Sequence, residues 1–269
     1  MKQAIAVLTR GYPTLEPYHT LIQRNRAIFN VFYSRLKESE TADYDILVFH
    51  EGNISPAQQA YIQAQTPDLP LQFVTVPFVR HPPKDNPCCP RTLLSSHFSQ
   101  GYKNMCAFWS IWFLHFFSPY EYVIRIDEDC LLRNMDPTLV NQYRDNRIVF
   151  GSPHYQIQDE PDVTLGLEAL CTSCLRDMGK KAYRRAKRFP YTNVMIVNVP
   201  FFLRHAGVNE VLRRIRRSGC IFNNRWGDLP IWGYLLNHWV HPAHYRKDPS
   251  IQYYHGSHDT VVNEHKTLP

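Results

Sequence analysis

The sequence lacks any long apolar run. Its most apolar stretch, residues 105–117, is thirteen residues long and contains His115, whereas a helix that spans a bilayer needs about 20 residues. Residues 1–13 hold an apolar stretch of only five residues before Thr9 and Arg10, which does not match a secretory signal peptide. We therefore expect a cytoplasmic protein without a transmembrane segment.

The spacing of the cysteines does not suggest a disulfide framework. Seven cysteines cannot all pair, and Cys88 is adjacent to Cys89, unlike the cysteines of disulfide-rich secreted domains. Cys171 and Cys174 form one CxxC, without the second ligand pair that a zinc site needs. We expect unpaired cysteines and a reducing compartment.

A strong excess of charge is also missing, since the formal net charge is only +6. Basic residues concentrate at 179–188 and 213–217. Such runs are solvated helix faces, or they bind nucleic acid, a phosphorylated group or an acidic group. Neither run is interleaved with a nucleic-acid-binding motif, so solvated faces are favoured and we expect no nucleic-acid partner.

Strand-like and helical segments alternate along the chain. The first strands are predicted at residues 3–9, 44–52 and 71–78, with helices between them at 17–40 and 55–65. This alternation predicts an α/β fold, a parallel sheet with helices on both faces. No repeat or domain boundary is visible, so we expect one domain, 1–269. Further along, we predict a proline-rich loop at 79–97, a buried helix at 102–117, strands at 121–126, 147–153 and 192–202, and helices at 163–188, 207–218 and within 223–239.

Three acidic residues, Asp127, Glu128 and Asp129, directly follow the apolar strand at 121–126. Open parallel sheets bind ligands beyond the carboxyl ends of their strands. In an extended chain the two Asp carboxylates lie on the same side, about 6.5–7 Å apart, close enough to share a divalent cation. Apolar residues on both sides set the triplet apart from a charged surface run. A solvated acidic turn is the alternative.

Four segments, at residues 102–110, 120–130, 224–236 and 253–259, resemble motifs of the fungal α-1,2-mannosyltransferases of glycosyltransferase family 15. That family carries, in this order, Tyr-x-x-Met-Cys-x-Phe, Arg-x-Glu-Pro-x, Arg-Trp-Gly-Asp-x-Pro and a late Tyr-His-His. The resemblance implies a GT-A fold, with a nucleotide-sugar-binding part at about 1–130 and an acceptor-binding part at about 131–269.

The resemblance also implies a metal site. Asp127 falls where the family has its metal-binding glutamate, Asp129 supplies the second carboxylate of an Asp-x-Asp motif, and His255 matches the late histidine. A Mn²⁺ or Mg²⁺ ion held by these residues would stabilise the charge that develops on a departing diphosphate.

Contacts to a nucleotide-sugar donor are expected from two groups of residues. Arg125 and Tyr102 match the arginine and tyrosine of the family motifs, while Thr9, Arg10 and Tyr12 follow the first predicted strand, where they could touch the base or the phosphates. The resemblance implies a GDP- or UDP-linked sugar as donor and a glycan or glycoprotein as acceptor.

The catalytic mechanism stays open. Asp228 is the candidate catalytic carboxylate, to orient sugar hydroxyls or to accept a proton from the acceptor, and it could instead cap the next helix. Where the family carries a glutamate proposed as nucleophile or as stabiliser of the sugar cation, the chain has Met195. A thioether cannot take that role. The alternatives are therefore inverting transfer from a UDP-sugar with Asp228 as base, and a non-catalytic nucleotide-sugar-binding module.

The cellular location is expected to differ from that of the family. The fungal enzymes are anchored in the Golgi by an amino-terminal membrane helix. The Met1 start and the unpaired cysteines favour a soluble cytosolic enzyme, as some virus- or microbe-encoded glycosyltransferases are. The Golgi lumen is the alternative if an anchor has been removed.

Overall fold

A computed structural model describes residues 2–41, 43–78, 89, 92–156, 163–184 and 188–262. Its strands are β1 (Gln3–Leu8), β2 (Tyr44–His50), β3 (Leu71–Thr75), β4 (Tyr122–Ile126), β5 (Cys130–Asn134), β6 (Phe150–Ser152), β7 (Tyr155–Gln156), β8 (Phe189–Pro190), β9 (Val194–Asn198), β10 (Tyr245–Lys247), β11 (Gln252–His255) and β12 (Thr260–Val262).

The helices of the same residues are α1 (His19–Val31), α2 (Glu38–Thr41), α3 (Pro56–Gln65), α4 (Leu93–Ser96), α5 (Gln100–Ala107), α6 (Phe113–Phe116), α7 (Leu139–Asp145), α8 (Leu167–Asp177), α9 (Val199–Arg204), α10 (Ala206–Ser218), α11 (Cys220–Asn223) and α12 (Asp228–Trp239). A π-helical stretch, Phe108–Trp112, joins α5 to α6. Short 3₁₀ turns at Glu16–Tyr18, Tyr33–Arg35, Pro242–His244 and Gly256–His258 complete the helical residues.

The central sheet has seven strands in the order β10-β6-β9-β4-β1-β2-β3. Strand β1 runs parallel to β2 and β4, β2 parallel to β3, and β6 parallel to β10, whereas β9 runs antiparallel to both β4 and β6. The predicted α/β fold is confirmed, and the expected parallel sheet contains one reversed strand.

Helices cover both faces of this sheet because its apolar residues alternate between the two faces. On β1, Ile5 packs in the core that contains Ile28 of α1, while Ala4 and Ala6 belong to the core that contains Trp232 of α12. Successive side chains of a strand point to opposite faces. A strand buried on both faces therefore reads as the continuous apolar run seen in the sequence.

A smaller sheet brings the end of the chain to the acid triplet. Strand β5 begins directly after Asp129 and pairs antiparallel with β11, with Cys130 opposite His255 and Leu132 opposite Tyr253. The register then shifts, because Gln252 lies opposite Asn134. One extra residue of β5 therefore forms a β-bulge between these pairs.

Several predicted boundaries differ from the structure. The helix predicted at 17–40 ends at Val31, and that at 163–188 spans only Leu167–Asp177 among the described residues. The strand predicted at 192–202 ends at Asn198, whose side chain accepts a hydrogen bond from Phe201 N and caps α9. The loop predicted at 79–97 lies largely outside the described residues, although α4 falls within it. None of the described helices has the length and apolar character needed to cross a membrane.

One disulfide corrects the expectation of unpaired cysteines. Cys89 is bonded to Cys220, 131 positions further along the chain, with their Cα atoms 5.7 Å apart. Spacing along a sequence cannot reveal a contact between residues so far apart. Cys106, Cys130, Cys171 and Cys174 are free and buried, and Cys88 lies outside the described residues.

Candidate active site

A cleft of about 540 Å³ lies at the carboxyl ends of β1 and β4. This is the edge at which α/β sheets bind their ligands. The residues that line it include all four predicted donor contacts outside β4, and all three acids of the triplet: Thr9, Arg10, Tyr12, Tyr102, Asp127, Glu128 and Asp129. The fold therefore brings together residues that the sequence predicted from three distant segments.

Arg125 lies at the base of the acidic cluster with only 2% of its surface exposed. Its Nε and Nη2 donate hydrogen bonds to the two carboxylate oxygens of Asp127 at 2.7 and 2.8 Å, and its Nη1 donates to Asp228. The guanidinium also lies 4.5 Å from the ring centroid of Trp109. Burial lowers the pKa of Arg125, but the two carboxylates outweigh it and raise the pKa above its ordinary value. Arg125 thus orients both acids.

Asp129 and His255 form a second pair on the same cluster. The Nε2 of His255 lies 3.5 Å from Asp129 Oδ2, which also accepts a hydrogen bond of 3.3 Å from Ser257 N. Burial lowers the pKa of His255, so the ring is neutral at pH 7 and keeps a lone pair for a ligand. The pairing of β5 with β11 produces this contact.

Asn193 connects the two pairs, a role that sequence reasoning missed. Its Nδ2 donates to Asp127 Oδ2 at 3.2 Å and lies 3.4 Å from His255 Nε2. Asn193 immediately precedes β9, which lies beside β4 in the sheet.

The donor set of Asp129 and His255 fits a divalent cation such as Mn²⁺. Ligand atoms of Asp129, Cys130 and His255 all lie within 4.8 Å of one another. Burial raises the pKa of the Cys130 thiol well above its ordinary value, so it stays protonated, and hard cations prefer oxygen and imidazole to sulfur. The Asp127 carboxylate is bonded to Arg125, and its role as a third ligand stays a prediction.

Glu128, the middle acid, faces the end of β1. It accepts hydrogen bonds from Thr9 Oγ1 at 2.8 Å and from Tyr12 Oη at 3.3 Å. The Arg10 guanidinium lies 5.0 Å from the Tyr12 ring centroid. Burial raises the pKa of Glu128. The three predicted donor contacts after β1 are thus tied to the triplet itself.

Tyr102 is held in place by Arg225, a residue that sequence reasoning missed. Arg225 Nη2 donates to Tyr102 Oη at 2.8 Å, and the guanidinium lies over the rings of Phe98 and Tyr102, 4.2 and 5.1 Å from their centroids. The backbone of Arg225 has φ of 56°, a left-handed conformation that is uncommon for a residue with a side chain. The sequence feature that could have identified Arg225 was its place in the same motif as Asp228, at residues 224–236.

Asp228 is the first residue of α12, and Gly227 occupies the N-cap position. The alternative in which Asp228 caps this helix is therefore wrong. Its carboxylate instead pairs with Arg125 from β4. This contact brings the carboxylate from the start of α12 to the carboxyl end of β4.

Met195 is fully buried and lies directly opposite Arg125 in the pairing of β9 with β4. Residues directly opposite each other on neighbouring strands share a face of the sheet. A glutamate at this position would lie beside Arg125, whereas Met195 packs in the apolar core.

Arg24 is a further buried cation that sequence reasoning missed. It donates from Nη2 to the carbonyl oxygens of Ile126 and Ala6, at 2.9 and 3.2 Å, and so joins the ends of β4 and β1 beneath the acids. Burial lowers its pKa to about 9, against the opposing effect of Asp127. An arginine on the apolar face of a helix, between Leu21 and Ile28, was the available signal.

No protein-family model matches the chain, and no curated protein matches it in sequence. Solved structures do match. Core-mannan synthase A (CmsA/Ktr4) from Aspergillus fumigatus, in its Mn/GDP form, superposes with a TM-score of 0.77 at 18% identity, covering 94% of this chain and 74% of that one. The mannosyltransferase Ktr4p from S. cerevisiae in complex with GDP gives 0.76 at 16% identity, covering 94% and 71%. The chain therefore has the GT-A-like fold of these mannosyltransferases.

Proposed function

We propose that this protein is a metal-dependent glycosyltransferase that moves a sugar from a nucleotide-sugar donor to a glycan or glycoprotein acceptor. The observation that carries the proposal is the Asp129–His255 pair, with 3.5 Å between Oδ2 and Nε2, beside a cleft at the carboxyl ends of β1 and β4. The fold is shared with two mannosyltransferases, one in its Mn/GDP form and one in complex with GDP.

The cleft suits a nucleoside diphosphate. Arg10 supplies a cation and Tyr12 an aromatic face on one wall, while Tyr102 lines the cleft from α5. Aromatic rings stack on bases and sugars, and a guanidinium binds phosphate. Mn²⁺ held by Asp129 and His255, with Asp127 as the proposed third ligand, would stabilise the charge on the leaving diphosphate.

Asp228 is placed to act on the sugar. Arg125 fixes one of its oxygens, so the carboxylate is oriented before the donor arrives. An oxygen held by Arg125 in this way favours a role in orienting sugar hydroxyls by hydrogen bonds. GDP-mannose is the first donor to test, by resemblance.

A second candidate function is inverting transfer from a UDP-linked sugar such as UDP-xylose or UDP-galactose. Met195 favours it, since this buried residue provides no nucleophile opposite Arg125. Asp228 would then accept the proton of the acceptor hydroxyl. NMR of the first-formed product distinguishes the two, because retention or inversion of the anomeric carbon is read directly from its coupling constant.

The test is release of nucleotide from GDP-mannose, UDP-xylose and UDP-galactose with Mn²⁺, and after its removal by a chelator. We expect Asp129→Asn and His255→Gln to lower the metal-dependent rate by roughly 100-fold, since they remove metal ligands. Asp259→Asn is the matched control, because Asp259 is exposed and its carboxylate accepts a hydrogen bond from Tyr254 Oη at 2.7 Å, outside the Asp129–His255 pair. Unchanged metal-dependent turnover in both ligand variants would sink the proposal.

A further inference from the structure

A second pocket lies away from the candidate active site, where α8 and α12 end. Its volume is about 650 Å³, within the range of small-molecule sites. Asp228 and His238 are ten residues apart on α12, which places the pocket about 15 Å along the helix from the candidate catalytic carboxylate. The pocket contains part of the basic run at 179–188, which the proposed function leaves unexplained.

We infer that this pocket binds the phosphate group of a small phosphorylated molecule such as a sugar phosphate. Four cations line it, namely Arg176, Lys180, Lys181 and Arg184, and Glu168 is the one carboxylate among the described lining residues. Lys180 and Lys181 form no ion pair with a described carboxylate. A dianion would offset most of this excess positive charge.

A favourable interaction with the helix dipoles does not by itself explain why these four basic residues are here. Basic residues often follow helices because the last carbonyl groups attract them. Here backbone amides already bond those carbonyls: Lys180 N donates to Leu175 O at 2.8 Å, and Arg184 N donates to Asn237 O at 2.9 Å. Arg176 lies 3.8 Å from Asp177 Oδ1, so the side chains of Lys180 and Lys181 above all are left for a partner from outside.

The lining also offers groups for the rest of the ligand. Leu175 and Tyr234 are buried and give the pocket an apolar wall. The ring of His238 also lines the pocket. The Arg184 guanidinium lies 5.4 Å from the ring centroid of Tyr245, which restrains one of the four cations.

The shape favours a small molecule over nucleic acid. The four cations line a single concave pocket, whereas nucleic-acid-binding proteins spread their cations in a stripe or patch that follows the phosphate backbone. The inference does not depend on the proposed transferase activity.

The test is isothermal titration calorimetry with glucose 6-phosphate and with inorganic phosphate. We expect Lys180→Gln/Lys181→Gln/Arg184→Gln to weaken binding by roughly tenfold or more, because three ion pairs are lost. Arg216→Gln/Arg217→Gln, in the other basic run, is the matched control and should bind like the wild type. The double variant Lys180→Gln/Lys181→Gln leaves the Arg184 contact with Tyr245 intact, and thermal unfolding verifies that each variant is folded.

Wild-type affinity in the folded triple variant overturns the inference, because the phosphate then binds elsewhere, for example in the candidate active site. Absence of binding to the wild type also overturns it, as does tight binding of duplex RNA without binding of either phosphate. Vesicles with and without phosphatidylinositol 4-phosphate identify the source of the group: retention that the triple variant loses assigns the site to a lipid headgroup, and binding of soluble phosphates alone assigns it to a free metabolite.

Discussion

At the scale of single residues, the candidate site holds more acid than base. The triplet at 127–129 and Asp228 provide four carboxylates, and Arg125 and Arg24 are the buried arginines that act on them. Crowded carboxylates resist ionisation unless a cation offsets their repulsion. Even with Arg10, which lines the same cleft, the carboxylates outnumber the arginines, and a divalent cation would offset the remaining negative charge.

Two properties of Arg225, its left-handed backbone and its contact with Tyr102, can be tested separately by substitution. The left-handed backbone at φ 56° tolerates glycine, so we expect Arg225→Gly to be more stable than Arg225→Ala by about 1 kcal/mol. Both variants free Tyr102, and we expect a similar rise in the donor KM with a smaller change in kcat. Urea unfolding and steady-state kinetics measure the two effects.

Equal stability of the glycine and alanine variants would contradict the backbone argument, whereas an unchanged KM would contradict the positioning of Tyr102. Arg217→Ala, on the exposed end of α10, is the control for loss of an arginine as such.

Some of these residues could be predicted from the sequence and others could not. Asp129 and His255 were predicted together because ordered motifs identify them, whereas Arg24 was not, because its partners are backbone oxygens of other elements. The Arg125–Asp127 pair was within reach, since residues two apart on a strand share a face. Arg125–Asp228 joins positions 103 apart, and no local pattern encodes that contact.

At the scale of elements, α10 begins with a titratable cap. His205 Nδ1 accepts a hydrogen bond from Val208 N at 3.2 Å, which requires an unprotonated nitrogen. Burial lowers the pKa of His205 below its ordinary 6.5. The unfolded chain therefore binds the proton more readily, and stability falls as the pH drops through the range below 6.5.

We expect this titration to lower the free energy of unfolding by at most about 1.4 kcal/mol between pH 7.5 and 5.5, because each pH unit below 6.5 contributes about 1.4 kcal/mol for one proton. His205→Asn keeps a capping side chain that does not titrate, so it should show a smaller pH dependence in urea unfolding than the wild type. An identical pH dependence in the two proteins would refute the assignment.

Strand β9 shows which properties of an element the sequence predicts and which it does not. The apolar run at 192–202 predicted one strand, and the chain turns into α9 after Asn198. Asn198 and Pro200 are a cap and an early-helix proline, so the boundary was visible in principle. The reversed direction of β9 was not, because alternation of elements favours parallel strands and does not report the path of a connection.

At the scale of the whole molecule, the Cys89–Cys220 disulfide fastens the region before α4 to α11. Asn223 Nδ2 donates to Cys89 O at 3.0 Å, and Ser95 Oγ donates to Phe222 O at 2.9 Å. Five residues after Cys220 comes Arg225, which holds Tyr102. The expectation of a reducing compartment rested partly on unpaired cysteines, and that premise is wrong for this pair.

Closing a loop of 131 positions restricts the unfolded chain, and we expect dithiothreitol to lower the unfolding free energy by about 2–5 kcal/mol. Cys89→Ala/Cys220→Ala should be less stable than the oxidised wild type and should not respond to the reductant. A wild type whose urea midpoint is the same with and without dithiothreitol would show that the bond contributes nothing.

The bulge in β5 has a consequence for how the protein tolerates change in length. Arg133 is the unmatched residue, and the pairs from Tyr253–Leu132 to His255–Cys130 lie between it and Asp129. An insertion on the Asn134 side of the bulge leaves the register of these three pairs unchanged. One residue added to β5 between Arg133 and Asp129 would shift the pairing by one position and place Asp129 and His255 on opposite faces of the sheet. The proposed metal ligands therefore require that no residue is inserted within these three pairs.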